Sequence, residues 1–172
     1  GCNVVSTFTA YSVYRACYEG RPLIERVLSV GGSAIEPANV MIRFGTPIQH
    51  VIDNLGGFKR PIDRIVLGGP MMGFASFAQS CGLIKGISGL LCFTEDENRD
   101  VENPTCIRCA RCVNVCPMHL TPVYMNMFAE ARRWSEAEEY RLMDCMECGS
   151  CQYICPARIP LVQQFRTAKF AI

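Results

Sequence analysis

The chain has 172 residues, 49% of them apolar and 19% charged, a composition of folded domains that excludes a disordered tail. Seventeen basic against sixteen acidic side chains leave a formal charge of +1, so there is no nucleic-acid footprint and no polybasic membrane patch. Cysteine is the anomaly: of twelve, eight fall between Cys106 and Cys155, whereas thirteen of fourteen glycines fall before residue 94.

Two compositions predict two modules, 1–93 and 104–172, joined by an acidic, solvated linker over 94–103, and the strand and helix signals within them make the protein α+β. The three parts carry +3, +2 and −4 respectively. The chain starts at Gly1 without a signal-peptide pattern, as a fragment or a processed chain would. The longest uncharged stretch, Ile65 to Ile84, is broken by Gly68, Gly69, Pro70, Gly73 and Gly82, so no transmembrane segment is expected.

In the first module, Thr7 to Glu19 reads as a helix stopped by Gly20. Strand-like runs follow at Leu23 to Val30, Val40 to Phe44, Arg64 to Leu67 and Gly89 to Phe93, with a hairpin turn at Gly31 and Gly32. Between them, Thr46 and Gln49 form a capping box around Pro47, and Ile48, Val51, Ile52 and Leu55 recur at i, i+3, i+4 and i+7. One short helix on a small mixed sheet suggests a β-grasp arrangement. No catalytic grouping is present, and the module reads as a binding or docking unit. Gly68 to Gly73 is a glycine-rich turn able to approach a flavin or a polypeptide, though a plain structural turn is the simpler reading and the spacing is not a dinucleotide fingerprint. Cys2, Cys17, Cys81 and Cys92 lack ligand spacing and are expected to be buried thiols. His50 is read as structural.

The second module holds the chemistry. Cys106, Cys109, Cys112 and Cys116 precede Pro117, and Cys145, Cys148, Cys151 and Cys155 precede Pro156, so both runs read Cys-x2-Cys-x2-Cys-x3-Cys-Pro. Thiolates two residues apart let one loop wrap three corners of a cubane while its amides face the sulfides. In two-cluster proteins of this kind the fourth cysteine of each run ligates the other cluster. The expected sets are therefore Cys106, Cys109, Cys112 and Cys155 for one 4Fe-4S cluster, and Cys145, Cys148, Cys151 and Cys116 for the second. Zinc sites or a disulfide framework are the competing readings. Zinc asks for pairs of cysteines or histidine partners rather than a third cysteine and a Cys-Pro, and disulfides need a secretory setting.

Two clusters at about −2 each would take the formal charge from +1 to about −3. Arg108, Arg111 and Arg158 flank ligands, where a positive charge raises a potential, or else are solvated surface. His119 could donate to a sulfide or be an ordinary loop histidine. Thr121 and Pro122 open a helix over Val123 to Trp134, and a box of Ser135 with Glu138 opens another toward Asp144. Met125, Met127 and Phe128 are expected in the core. Ile107, Met146 and Ile154 are expected to form an apolar shell around the clusters.

Three further segments are Ala10-Tyr-Ser-Val-Tyr-Arg15 with Glu19-Gly-Arg-Pro-Leu-Ile-Glu-Arg26, then Leu67-Gly-Gly-Pro-Met-Met-Gly73, then Ile159-Pro-Leu-Val-Gln163 with Phe165-Arg166. With the cysteine runs they resemble the RnfC family, the C-type subunits of the Rnf electron transport complex, across essentially the whole chain, and the first segments resemble an SLBB (soluble-ligand-binding β-grasp) domain. The resemblance implies a β-grasp domain followed by an α-helical two-cluster ferredoxin domain. It also implies a peripheral protein on the cytoplasmic face of the cell membrane, in a complex coupling electron transfer between NADH and ferredoxin to sodium or proton translocation. The implied partners are the other subunits and redox partner proteins. The family's N-terminal flavin and NADH domain has no matching residues, so FMN and NADH are expected only in that missing domain. This chain would then be an electron carrier with no catalytic residue of its own. A cobalamin-reducing enzyme of the same wider family and a structural metal-binding protein are the alternatives.

Overall fold

The computed structural model describes residues 1–97 and 101–172. The chain divides into two compact units, Gly1–Gly68 with Ala75–Thr94, and Gly69–Phe74 with Glu95–Ile172. Residues 98–100 of the expected linker lie outside the described residues, and its first residue, Thr94, is buried. The Thr94 N–H donates to Ser33 Oγ at 3.2 Å, which ties it to the first unit.

Helix α1 (Thr7–Glu19) starts where the Thr9 N–H donates to Ser6 Oγ at 3.1 Å, and it stops at Gly20, left-handed at φ 64°. None of its residues is buried; Arg26 lies over the Phe8 ring at 4.8 Å, and Arg15 pairs with Glu19 and Glu25. Strand β1 (Glu25–Gly31) pairs antiparallel with β2 (Ala38–Arg43) and parallel with β5 (Gly89–Phe93). Strand β3 (Arg64–Leu67) pairs antiparallel with β5, and β4 (Phe74–Ser76) completes the order β2-β1-β5-β3-β4. Alternation buries Leu28 and Val30 from β1 and Leu90 and Cys92 from β5. Against them, helix α2 (Ile48–Asn54) buries Ile48, Val51 and Ile52. A mixed sheet with one amphipathic helix is the expected β-grasp arrangement.

Local details depart from expectation. The β1–β2 connection takes in 32–37 rather than a tight Gly-Gly turn, and Gly32, at φ 106°, sits where a Cβ would collide with the Cys92 backbone. The capping box at α2 does not form. Thr46 Oγ1 donates to the Arg43 carbonyl at 2.8 Å and Gln49 Nε2 to Asp53 Oδ1 at 2.7 Å. The helix's first amides are satisfied instead by the carbonyls of Cys81 and Gln79, at 3.1 and 2.9 Å. Of the four cysteines expected to be buried only Cys92 is; Cys2, Cys17 and Cys81 are exposed, the first two in a terminal segment and helix that bury nothing. Burial pushes the Cys92 thiol up to about 11.

The second unit is helical: α3 (Arg111–Asn114), α4 (Pro122–Glu130), α5 (Trp134–Glu139), α6 (Ser150–Ile154) and α7 (Leu161–Ala171). Met125 and Phe128 of α4, Ala137 of α5, Leu142, and Leu161 and Phe165 of α7 form its core, while Met127, expected there, is exposed. Helix α4 ends before the expected Trp134. Arg132 takes the left-handed conformation at φ 55°, and the Arg133 N–H donates to the Phe128 carbonyl at 2.9 Å, a Schellman closure without glycine. Helix α5 therefore begins at Trp134, with Ser135 already inside it and no box to Glu138. Among the described residues no helix is long and apolar enough to cross a membrane.

Candidate functional site

The two cysteine runs place left-handed residues at the same positions. Arg108 and Ala110 flank Cys109 at φ 54° and 59°; Glu147 and Gly149 flank Cys148 at φ 55° and 81°. His119 and Arg158, each three residues after the fourth cysteine of its run, stand at φ 52° and 58°. A left-handed non-glycine residue costs roughly 1–2 kcal/mol, so five of them at matching positions form a built feature rather than scatter. Turns alternating between right- and left-handed residues aim successive N–H groups at one concavity, a nest that suits an anion. Two such amides already meet sulfur: the Arg108 N–H donates to Cys106 Sγ and the Leu120 N–H to Cys116 Sγ, both at 3.4 Å. The αL residues Ala110 and Gly149 also start α3 and α6, which carry Cys112 and Cys151 and pack against each other.

The thiols line two cavities. One is bounded by Cys106, Cys109, Cys112 and Cys155 with Val123, Ile159 and Leu161. The other is bounded by Cys145, Cys148, Cys151 and Cys116 with Met125 and Phe165. Among the described residues no three His, Cys, Asp or Glu side chains converge on one point as a single ion requires. The cysteines instead line cavities with apolar walls, and soft thiol donors in such a setting fit an iron–sulfur cluster. Burial pushes the Cys151 thiol up to about 12 and raises Cys112 and Cys145 as well, so these three thiols are neutral when free and metal binding releases their protons.

The charged surroundings differ between the two sites. Arg108, Arg111 and Arg158 are exposed and have no ion-pair partner among the described residues. His119 is exposed, at φ 52°; His50 is exposed, its carbonyl accepting from Asn54 Nδ2 at 2.6 Å. Of the expected apolar shell, Ile107 lines the first cavity and Met146 the second, both largely exposed, and Ile154 lines neither.

Two features escaped the sequence. Asn126 of α4 is 4% exposed, lines the first cavity, and its Oδ1 has no hydrogen-bond partner among the described residues. An orphaned buried amide is costly unless something polar occupies the cavity it faces. The sequence signal was a polar residue beside the apolar Met125, Phe128 and Ala129 of one helix. At the second site, Glu147 stands between Cys145 and Cys148 and receives Arg166 Nε at 2.8 Å and Lys169 Nζ at 3.0 Å. Burial opposes its ionisation, but the two cations outweigh it and hold the carboxyl below the usual range.

Residues 105–159 match the family model of the 4Fe-4S dicluster domain. The whole chain is 43% identical to the C-type component of the proton-translocating ferredoxin:NAD(+) oxidoreductase complex of Clostridium ljungdahlii, over 98% of this chain and 37% of that protein. It is 41% identical to the Na(+)-translocating counterpart of Acetobacterium woodii, over 98% of this chain and 38% of that protein. The corresponding component of the ion-translocating oxidoreductase complex of Methanosarcina acetivorans is 38% identical over 99% of this chain and 38% of its own length. The chain thus spans a little over a third of the length of these relatives. Over nearly all of its own length the chain is similar to part of these proteins, and its residues 105–159 match the 4Fe-4S dicluster domain.

Proposed function

We propose that the chain is the electron-transfer module of an ion-translocating NADH/ferredoxin oxidoreductase, relaying single electrons through two 4Fe-4S sites. The observation that carries this is the pair of cavities, each lined by four thiols and built on one repeated backbone. Cys106, Cys109, Cys112 and Cys155 would hold one cluster, and Cys145, Cys148, Cys151 and Cys116 the other. A bound 4Fe-4S cluster supplies reversible one-electron chemistry.

The chain's own residues supply the rest. The thiols fix each site, the left-handed turns aim N–H groups at it, and the apolar walls limit water, which disfavours added negative charge and lowers a potential. No side chain performs bond chemistry; position and electrostatics are the contribution of the polypeptide. The first module, 1–93, is a docking domain of the β-grasp type, and 104–172 is the electron-carrying one. The partners are the other subunits of the complex and redox proteins, and the location is peripheral, on the cytoplasmic face of the membrane.

Iron, acid-labile sulfide and zinc content of anaerobically prepared protein, with electron paramagnetic resonance after dithionite reduction, tests this reading. About eight iron and eight sulfide per chain, with signals from two interacting clusters, are expected. About two zinc and no sulfide would overturn it in favour of a structural zinc protein.

A further inference from the structure

Residues Gly69–Phe74 group with the helical unit, where Met71 meets Gly149 of the second cysteine run and Met72 meets Arg166 of helix α7. The Met71 carbonyl oxygen lies against Gly149, where a Cβ would collide with it. The next carbonyl, of Met72, accepts from Arg166 Nη2 at 2.7 Å. The same guanidinium donates from Nε to Glu147 Oε2 at 2.8 Å. Lys169, one turn along α7, donates from Nζ to Glu147 Oε1 at 3.0 Å and to the Cys145 carbonyl at 2.5 Å. Both carboxylate oxygens of a left-handed residue between two cysteines are therefore held by helix α7, and so is the backbone of one of those cysteines.

Among the described residues the first run has nothing comparable. Arg108 occupies the place of Glu147, at φ 54° against 55°, and its side chain makes no hydrogen bond among the described residues. The local turn is the same in both runs, so the α7 contacts are not needed to make the turn; they are an addition specific to one site. The glycine-rich turn, which could have been plain punctuation, supplies the carbonyl that completes it.

We propose that Arg166 is a positioning residue for the second cluster site: one guanidinium clamps the Met72 carbonyl and the Glu147 carboxylate together. The clamp fixes the Cys145–Gly149 loop against the Gly69–Gly73 turn, so that retention and redox character of a cluster at Cys145, Cys148, Cys151 and Cys116 depend on this contact. The inference rests on the reading that a cluster sits there. Partners that orient metal ligands from outside the ligand set characteristically matter by about 10- to 100-fold in metal affinity. Arg rather than Lys is the residue for a planar fork that serves two acceptors at once.

The test compares the intact protein, loaded anaerobically, with Arg166→Gln, Arg166→Lys and Gly149→Ala. The readouts are iron release to a chelator, the midpoint potential of each cluster followed by electron paramagnetic resonance, and amide hydrogen exchange at 71–73 and 146–149. Arg166→Gln is expected to speed iron release from the second site about 10-fold or more, shift that cluster's potential alone, and speed exchange in both segments. Arg166→Lys, which can still pair with Glu147, should fall between. Gly149→Ala pushes the same contact apart from its other side and should reproduce the selective loss; it decides the matter should Arg166→Gln fail to fold. Equal loss at both sites, or no change at either, would overturn the proposal. A parent protein with fewer than about eight iron would instead defeat the cluster reading itself, whatever the variants do.

Discussion

Arg108 and Glu147 occupy the same place in the two cysteine loops, two residues after the first thiol, with φ of 54° and 55°. One carries a positive charge that no side chain among the described residues answers, and the other a negative charge answered by Arg166 and Lys169. The backbone follows from the spacing of the cysteines, which repeats; the charge follows from neighbours, which do not. The first site has two exposed cysteines, Cys106 and Cys109, whereas at the second Cys145, Cys148 and Cys116 are half-buried and Cys151 is buried. Two sites alike in shape are thereby given different electrostatics, the lever through which a protein sets one iron–sulfur potential apart from another.

The comparison breaks most completely at the fourth cysteine. Cys116 belongs to the first run but lines the second cavity. Cys116→Ala is expected to cost about four of about eight iron and to remove the signal of the cluster held by the second run. Loss confined to the first run's cluster would show that each run keeps its own fourth ligand.

Phe165 is next. It is fully buried in the helical core and lines the second cavity only. Phe165→Ala should destabilise the unit by about 3–5 kcal/mol in denaturant unfolding, with the second cluster lost before the first. Simultaneous loss would mean that the two cavities share one fate. A smaller effect is expected at Ala110, the first run's counterpart of Gly149. Left-handed alanine is strained where glycine is not, so Ala110→Gly should stabilise by about 0.5–1 kcal/mol in the same measurement. The smallest effect comes from charge alone. Arg108→Glu gives the first loop the second's residue without its cations, and should lower the first cluster's potential by about 10–40 mV in a spectroelectrochemical titration, the range of an exposed pair.

Much of this was legible from residue order. The α1 bounds, Thr7 to Glu19, and strands β3 and β5 follow from glycine stops and apolar runs, which are local signals. What failed were caps whose amides found other partners. The α2 box was displaced by the carbonyls of Gln79 and Cys81, and the α4 end was set by a left-handed arginine where the apolar pattern ran on. Three of the four unassigned cysteines were misjudged because burial depends on what covers a residue, and apolar character does not report that.

By itself the sequence determined the two runs, their common loop shape and the chemistry of their donors, because ligand spacing and backbone conformation act over a few residues. Only the tertiary structure decided that Glu147 is neutralised by Arg166 and Lys169, that Asn126 lines the first cavity without a partner for its Oδ1 among the described residues, and that the Gly69–Gly73 turn presses on Gly149. Each of these depends on segments brought together by the packing of a core, and no local pattern encodes which carbonyl a distant guanidinium will meet.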